Sequence, residues 1–176
     1  MRLERWVGFA ALSTLAACHA APAVDPAPAA CAPLAFKHAS LVSLPPARAA
    51  ADTPRKGEPL KFADAIPLNG SVSDAGNWTE VGDGWRAWRL RLRSEGAKSL
   101  SLHLKSLVLP SAAELWLCAA GGSPRQGPLT GTGPAGSGEL WTPSVPGPEL
   151  WVEIIAPTVT ASLAQMKIVE AFAAFR

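Results

Sequence analysis

The chain has 176 residues, a formal net charge of +2 and only 17% charged residues. That length holds one domain of about 100–150 residues with its own core, plus appended segments. The weak charge balance argues against a phosphate-tracking surface, because nucleic-acid binders carry a strongly basic domain or stripe, and no nucleic-acid partner is expected. Aromatic packing falls to tryptophan: there are seven Trp, five Phe and no Tyr, and all but one of the Trp lie beyond the N-terminal leader.

The leader comes first in chain order. Arg2 and Arg5 precede an apolar run from Trp6 to Ala17, which is too short for a permanent membrane-spanning helix and suits an export signal. Leu15-Ala16-Ala17-Cys18 closes it. These four residues resemble the lipobox of bacterial lipoproteins, which implies a signal peptide at 1–17, cleavage before Cys18 and lipidation of Cys18. Small residues at 16 and 17 let the chain enter a peptidase site, and two or more acyl chains on one residue anchor a protein where one chain does not. The expected partner of Cys18 is therefore the membrane. His19, in place of the aspartate that signals inner-membrane retention, favours an outer-membrane, lipid-anchored address in the cell envelope; the alternative is ordinary secretion with cleavage near His19, leaving a periplasmic or secreted protein.

Residues 18–59 read as a tether. Ala20 to Pro59 contains eight prolines and little periodicity, so it buries too little apolar surface to offset its ordering entropy. At about 3 Å per residue it would hold a folded domain well clear of a membrane. Leu34, Phe36, Leu41, Val42 and Leu44 interrupt it, which leaves open a short strand docked on the domain edge. Cys31 falls in this tether and Cys118 in a predicted strand. An oxidising compartment allows a disulfide between them across a long loop; the equal alternative is two unpaired thiols, with Cys118 a small buried hydrophobe.

The domain, 60–176, starts with a strand ending at Ile66, before Pro67 and the turn dipeptide Asn69-Gly70. Trp78 to Val81, Gly82-Asp83-Gly84 and Trp85 to Arg93 form the best hairpin signal. Trp88, Leu90 and Leu92 alternate there with Arg89, Arg91 and Arg93. After Ser94 to Lys98, Leu100, Leu102 and Leu104 alternate with Ser101, His103 and Lys105, as expected of a sheet solvated on one face. Glu114 to Cys118 and Glu149 to Ile155 read as buried strands, and Leu140 to Thr142 as a short one. Ala119 to Gly138 is a Gly/Pro-rich loop with a short strand around Gln126 to Thr130; a loop of that length is a candidate contact surface. Ala161 to Ala171 alternates as a strand, with a helix as the alternative. Seven to nine short strands with Gly/Pro punctuation give an all-β, antiparallel β-sandwich of jelly-roll type. Glu-Leu-Trp recurs at 114, 139 and 149 with unequal spacing, which marks one local solution reused and not a solenoid repeat.

No chemistry-bearing constellation emerges. The histidines are His19, His38 in the tether and His103 on the wet face of a strand, where it reads as a structural residue; a nucleophile needs a base within reach. There is no Gly-x-Ser-x-Gly elbow, P-loop or dinucleotide fingerprint, and Asp74, Asp83 and Glu95 fall in turns, where such side chains cap backbone groups. No catalytic residue, metal site or cofactor is expected. Arg89, Arg91, Arg93 and Lys105 would project from one sheet face at about 7 Å intervals. They are either a solvated face that discourages edge aggregation or a basic face for an acidic partner. Exposed tryptophans on a sandwich can instead stack on sugar rings, which makes an envelope carbohydrate-binding module the alternative function.

The run Trp88-Arg89-Leu90-Arg91-Leu92-Arg93-Ser94, then Gly96-Ala97-Lys98-Ser99-Leu100, Leu109-Pro110, Leu115-Trp116-Leu117, Gln126-Gly127-Pro128 and Leu140-Trp141-Thr142-Pro143 with Val145-Pro146-Gly147, is similar to a known region. It resembles the N-terminal non-catalytic domain of precursors of bacterial secreted trypsin-like serine endopeptidases, the lysyl endopeptidase group, over about Leu60 to Phe175. The resemblance implies a β-rich pro-region that assists folding, restrains activity or targets the enzyme, and a serine protease as partner. Family members continue into a protease domain. This sequence ends at Arg176 without that domain's His, Asp and Ser motifs, so the expectation is either a truncated precursor or a stand-alone lipid-anchored relative. Nothing catalytic transfers. Cys118 also stands where an aromatic residue is expected.

Overall fold

The computed structural model describes residues 27–47, 57, 59–72 and 77–176; the leader, Cys18 and Asp74 lie outside the described residues. Eleven strands are described: β1 (Ser40–Ser43), β2 (Ala63–Ser71), β3 (Asn77–Glu80), β4 (Trp85–Arg93), β5 (Ser99–Val108), β6 (Glu114–Ala119), β7 (Arg125–Leu129), β8 (Leu140–Trp141), β9 (Val145–Pro146), β10 (Glu149–Pro157) and β11 (Gln165–Ala174). The alternation of apolar and polar residues sets the two faces of each long strand. In β4, Trp88, Leu90 and Leu92 are buried in the same cluster as Leu100, Leu102 and Leu104 of β5. The segment read as strand or helix is β11, preceded by a short 3-10 turn at Ala161–Leu163.

The pairings are nested: β2 with β11, β4 with β10, β5 with β8, and β6 with β7. A long hairpin rolled on itself gives this order. Two further pairings, β11 with β5 and β10 with β6, knit the roll into layers. The first sheet runs β1-β4-β10-β6-β7 and the second β2-β11-β5-β8, with β3 also on β4 and β9 also on β5. This is a jelly-roll sandwich, as the strand pattern led us to expect. The pairings are antiparallel with one exception, β1, which runs parallel to β4. β1 lies along Leu90 to Arg93 and β3 along Trp88 and its neighbours, so the two short strands together cover the outer edge of β4.

One local expectation fails for an identifiable reason. The first domain strand does not end at Ile66: β2 passes through Pro67 and Asn69-Gly70 to Ser71. Proline is tolerated because β2 is an edge strand, and the pairing shifts opposite it, between Ile168 and Glu170. The hairpin signal is borne out as β3 on β4, while β4 and β5, consecutive in sequence, lie in different sheets. Ser94 to Lys98 crosses between the sheets, held by Ser94 N–H to Pro148 O (2.9 Å) and Lys98 N–H to Ala174 O (2.7 Å).

The core fills the space between the layers and is carried by Leu, Ile, Val and Ala around Trp88. A second apolar cluster lies on the outer face of the first sheet, where Cys31, Phe36, Cys118 and Trp151 pack together. Residues 27–47, assigned by sequence to the tether, make this cover. A 3-10 turn at Pro33–Phe36 puts the Phe36 ring on Trp151, with centroids 4.4 Å apart, and Cys31 and Cys118 are disulfide-bonded with Cα atoms 6.3 Å apart. Beyond β1, Ala47 N–H donates to Glu95 O at 2.8 Å and Ser94 Oγ donates to Pro45 O at 2.7 Å.

The bond closes a loop across a sequence separation of 87. Replacing both Cys31 and Cys118 by Ser should lower unfolding free energy by about 2–5 kcal/mol, measured by guanidinium denaturation; an unchanged midpoint would show that the cover adds nothing to stability.

Candidate functional site

The two outer faces of the sandwich differ. On the first sheet, Arg89 and Arg91 of β4 stand opposite carboxylates of β10. Arg89 Nε reaches Glu153 Oε1 at 2.6 Å and Arg91 Nε reaches Glu149 Oε1 at 2.7 Å. Glu153 is fully buried and its other oxygen accepts the Cys31 backbone N–H at 2.6 Å. The Glu149 carboxyl is held below the usual carboxylate range: burial pushes it up, but hydrogen bonds from Arg91 and Trp151, with the charges of Arg91 and Arg93, outweigh that.

The four cations therefore do not form one basic face. Arg89 and Arg91 are neutralised within the first sheet and Arg93 is exposed at the end of β4. Lys105 lies on β5 in the other sheet, 3.2 Å from Glu139. The partner carboxylates sit about 55–65 positions away in sequence, on a strand whose register with β4 had to be known first.

His103 is not an exposed residue. It is buried on β5, with Nε2 2.8 Å from Glu139 and Nδ1 3.2 Å from Glu170, and its ring stacks on Trp141 at 4.0 Å. Both contacts are donor hydrogen bonds only when the imidazole carries both protons. The hydrogen bonds from His103 and then Lys105 hold the Glu139 carboxyl below its usual range, against a smaller opposing effect of burial. The recurrent Glu-Leu-Trp now has a physical meaning. In β6 and β10 the Trp indole donates to the Glu two residues earlier, Trp116 to Glu114 at 2.9 Å and Trp151 to Glu149 at 2.7 Å, while Leu115 and Leu150 enter the core. In the third copy Glu139 and Trp141 are used instead to enclose His103.

Beside Trp141 the outer face of the second sheet carries a groove among the described residues. Its floor is small: Ser99 and Ser101 of β5 and Ala174 of β11, with Phe172 among them. One wall is the segment Pro59 to Ala65 and the other is Trp141, Thr142 and Ser144. Small side chains between large ones leave a groove of about 980 Å³. Leu60, Phe62 and Trp141, which are 58%, 65% and 59% exposed, all line it. The Thr142 hydroxyl is committed to the backbone, accepting Leu102 N–H, and Ser144 Oγ donates to Ser99 Oγ at 2.7 Å. Sequence reading flagged exposed tryptophans in general but not this groove, because its lining comes from four strands and the approach to β2. The Gly/Pro-rich loop contributes β7 as an edge strand of the first sheet, away from the groove.

Among the described residues no group of three His, Cys, Asp or Glu side chains is arranged to hold a metal ion, and no helix is long and apolar enough to cross a membrane. The geometry defines a β-sandwich module whose distinctive surface is a broad apolar groove. The family described as the lysyl endopeptidase N-terminal domain matches residues 34–169, and the chain belongs to it; this is a protease pro-region-like module. The match begins inside the 3-10 turn, so it takes in Phe36 and β1 but not Cys31, and it ends within β11. No solved structure matches the chain.

Two measurements test the site. Glu153→Ala leaves Arg89 and the Cys31 N–H without their shared acceptor and should cost about 3–5 kcal/mol, whereas Arg93→Ala at an exposed position should stay within about 0.5 kcal/mol; equal effects in denaturation would contradict the buried-pair assignment. Because the folded pKa values of Glu139 and Glu149 are depressed, their contribution to stability is present above the unfolded carboxylate value of about 4.3 and is lost as pH falls through the folded values. His103→Ala should raise the Glu139 pKa toward its ordinary value, read from carboxyl carbon shifts in an NMR titration.

Proposed function

We propose that this protein is an exported, lipid-anchored, non-catalytic interaction module that binds a trypsin-like serine endopeptidase and assists its folding or restrains its activity. The observation that carries the reading is the family match over 34–169, which runs from the 3-10 turn before β1 into β11 and so takes in strands of both sheets. Membership in a domain that stands N-terminal to an endopeptidase makes the protease the natural partner. The export signal at 1–17 and the Leu15-Ala16-Ala17-Cys18 sequence support the address: Cys18 carries the lipid, and the envelope, with the outer membrane favoured, is the compartment. An oxidising compartment is also where a Cys31–Cys118 bond persists.

Purified protein added in excess to the catalytic domain of a lysyl endopeptidase should slow cleavage of a lysyl substrate or raise the yield of active enzyme on refolding. No change in either assay would exclude the proposed role. In cells, Cys18→Ala should abolish incorporation of labelled palmitate and move the protein from the membrane fraction to the soluble one; a variant that stayed membrane-bound would remove the lipid anchor from the account.

A further inference from the structure

We infer that the groove on the outer face of the second sheet is the surface on which the endopeptidase domain docks; this rests on the pro-region reading above. The asymmetry of the sandwich favours this face. The outer face of the first sheet is closed by residues 27–47, by the Arg89–Glu153 pair and by the Phe36–Trp151 stack. The second sheet keeps a groove of about 980 Å³ whose rim holds Leu60, Phe62 and Trp141, all more than half exposed. Large exposed apolar side chains gathered at one concavity mark a contact surface, where scattered ones do not.

The path of the chain says which partner. β11 ends at Ala174, Phe175 is buried with its N–H donated to Phe62 O at 3.0 Å, and Arg176 lines the groove. In a family defined as the N-terminal domain of an endopeptidase, the polypeptide that follows this domain starts at the groove. The catalytic domain of such a precursor is thereby held beside it at high effective concentration, and a surface used in that arrangement serves equally for a protease bound as a separate chain. The lining defines the chemistry of the contact: an apolar loop of the folded protease enters between Phe62 and Trp141, over the Ser99, Ser101 and Phe172 floor. The stack of Trp141 on His103 fixes one wall of the groove before binding, which lowers the ordering cost of the contact.

The test is calorimetric titration of the mature full chain with a purified lysyl endopeptidase catalytic domain whose serine nucleophile is replaced. Wild type and Arg93→Ala should bind alike. Phe62→Ser combined with Trp141→Ala should weaken binding by at least about tenfold, and Ser101→Trp, which fills the floor without removing a contact, should weaken it comparably. Thermal melts identify any variant that fails to fold, and either groove variant alone then decides the outcome. Undiminished binding by folded groove variants would place docking elsewhere while leaving the pro-region reading intact. Absence of binding by wild type would overturn that reading and the docking face with it. Retention on peptidoglycan, lost on Trp141→Ala and without protease binding, would assign the groove to a glycan and overturn the proposal.

Discussion

Glu153 has no access to water, and its charge is tolerable there because Arg89 and the Cys31 N–H both reach it at 2.6 Å. An ionised carboxylate taken out of solvent without such partners costs several kcal/mol. The partners lie on separate parts of the chain, one on β4 and one in the segment before β1, so satisfying this single charge fixes the N-terminal cover on the first sheet. The Cys31–Cys118 bond and the Phe36–Trp151 stack act on the same patch. With that face closed, the groove lies on the opposite layer from the cover.

The sequence states which side of a strand is wet far more clearly than it states which strand lies alongside. Alternation in β4 and β5 located Trp88, Leu90, Leu92, Leu100, Leu102 and Leu104 in the core, yet the two strands lie in different sheets, since a period of two fixes the face and not the neighbour. Alternation puts Arg89 and Arg91 on a solvated or basic face for the same reason: their neutralising carboxylates come from β10, whose register is long-range information. Proline content over 18–59 points to a tether, with a docked strand left open around Leu41 to Leu44; β1 is that strand, and a buried carboxylate and a distant cysteine hold the rest of the cover. His103 was placed on the wet face by alternation and is buried by Trp141 and two glutamates from other segments.

The three Glu-Leu-Trp copies connect these observations. Each places Leu toward the core or against it and Glu and Trp on the outside, and in two of them the Trp indole is satisfied by its own Glu. The third copy breaks the pattern: Glu139 is taken by His103 and Lys105, and Trp141 stays exposed at the rim of the groove. A departure of one copy from a local rule that the others obey is where a functional surface is expected to appear.

Fixing Cys31 to Cys118 decides where the upstream chain meets the sandwich. Whatever lies upstream of that bond is therefore tied to the covered face, on the outer side of the first sheet. A pull from that direction loads the first sheet, while the groove, on the other layer, stays clear of it.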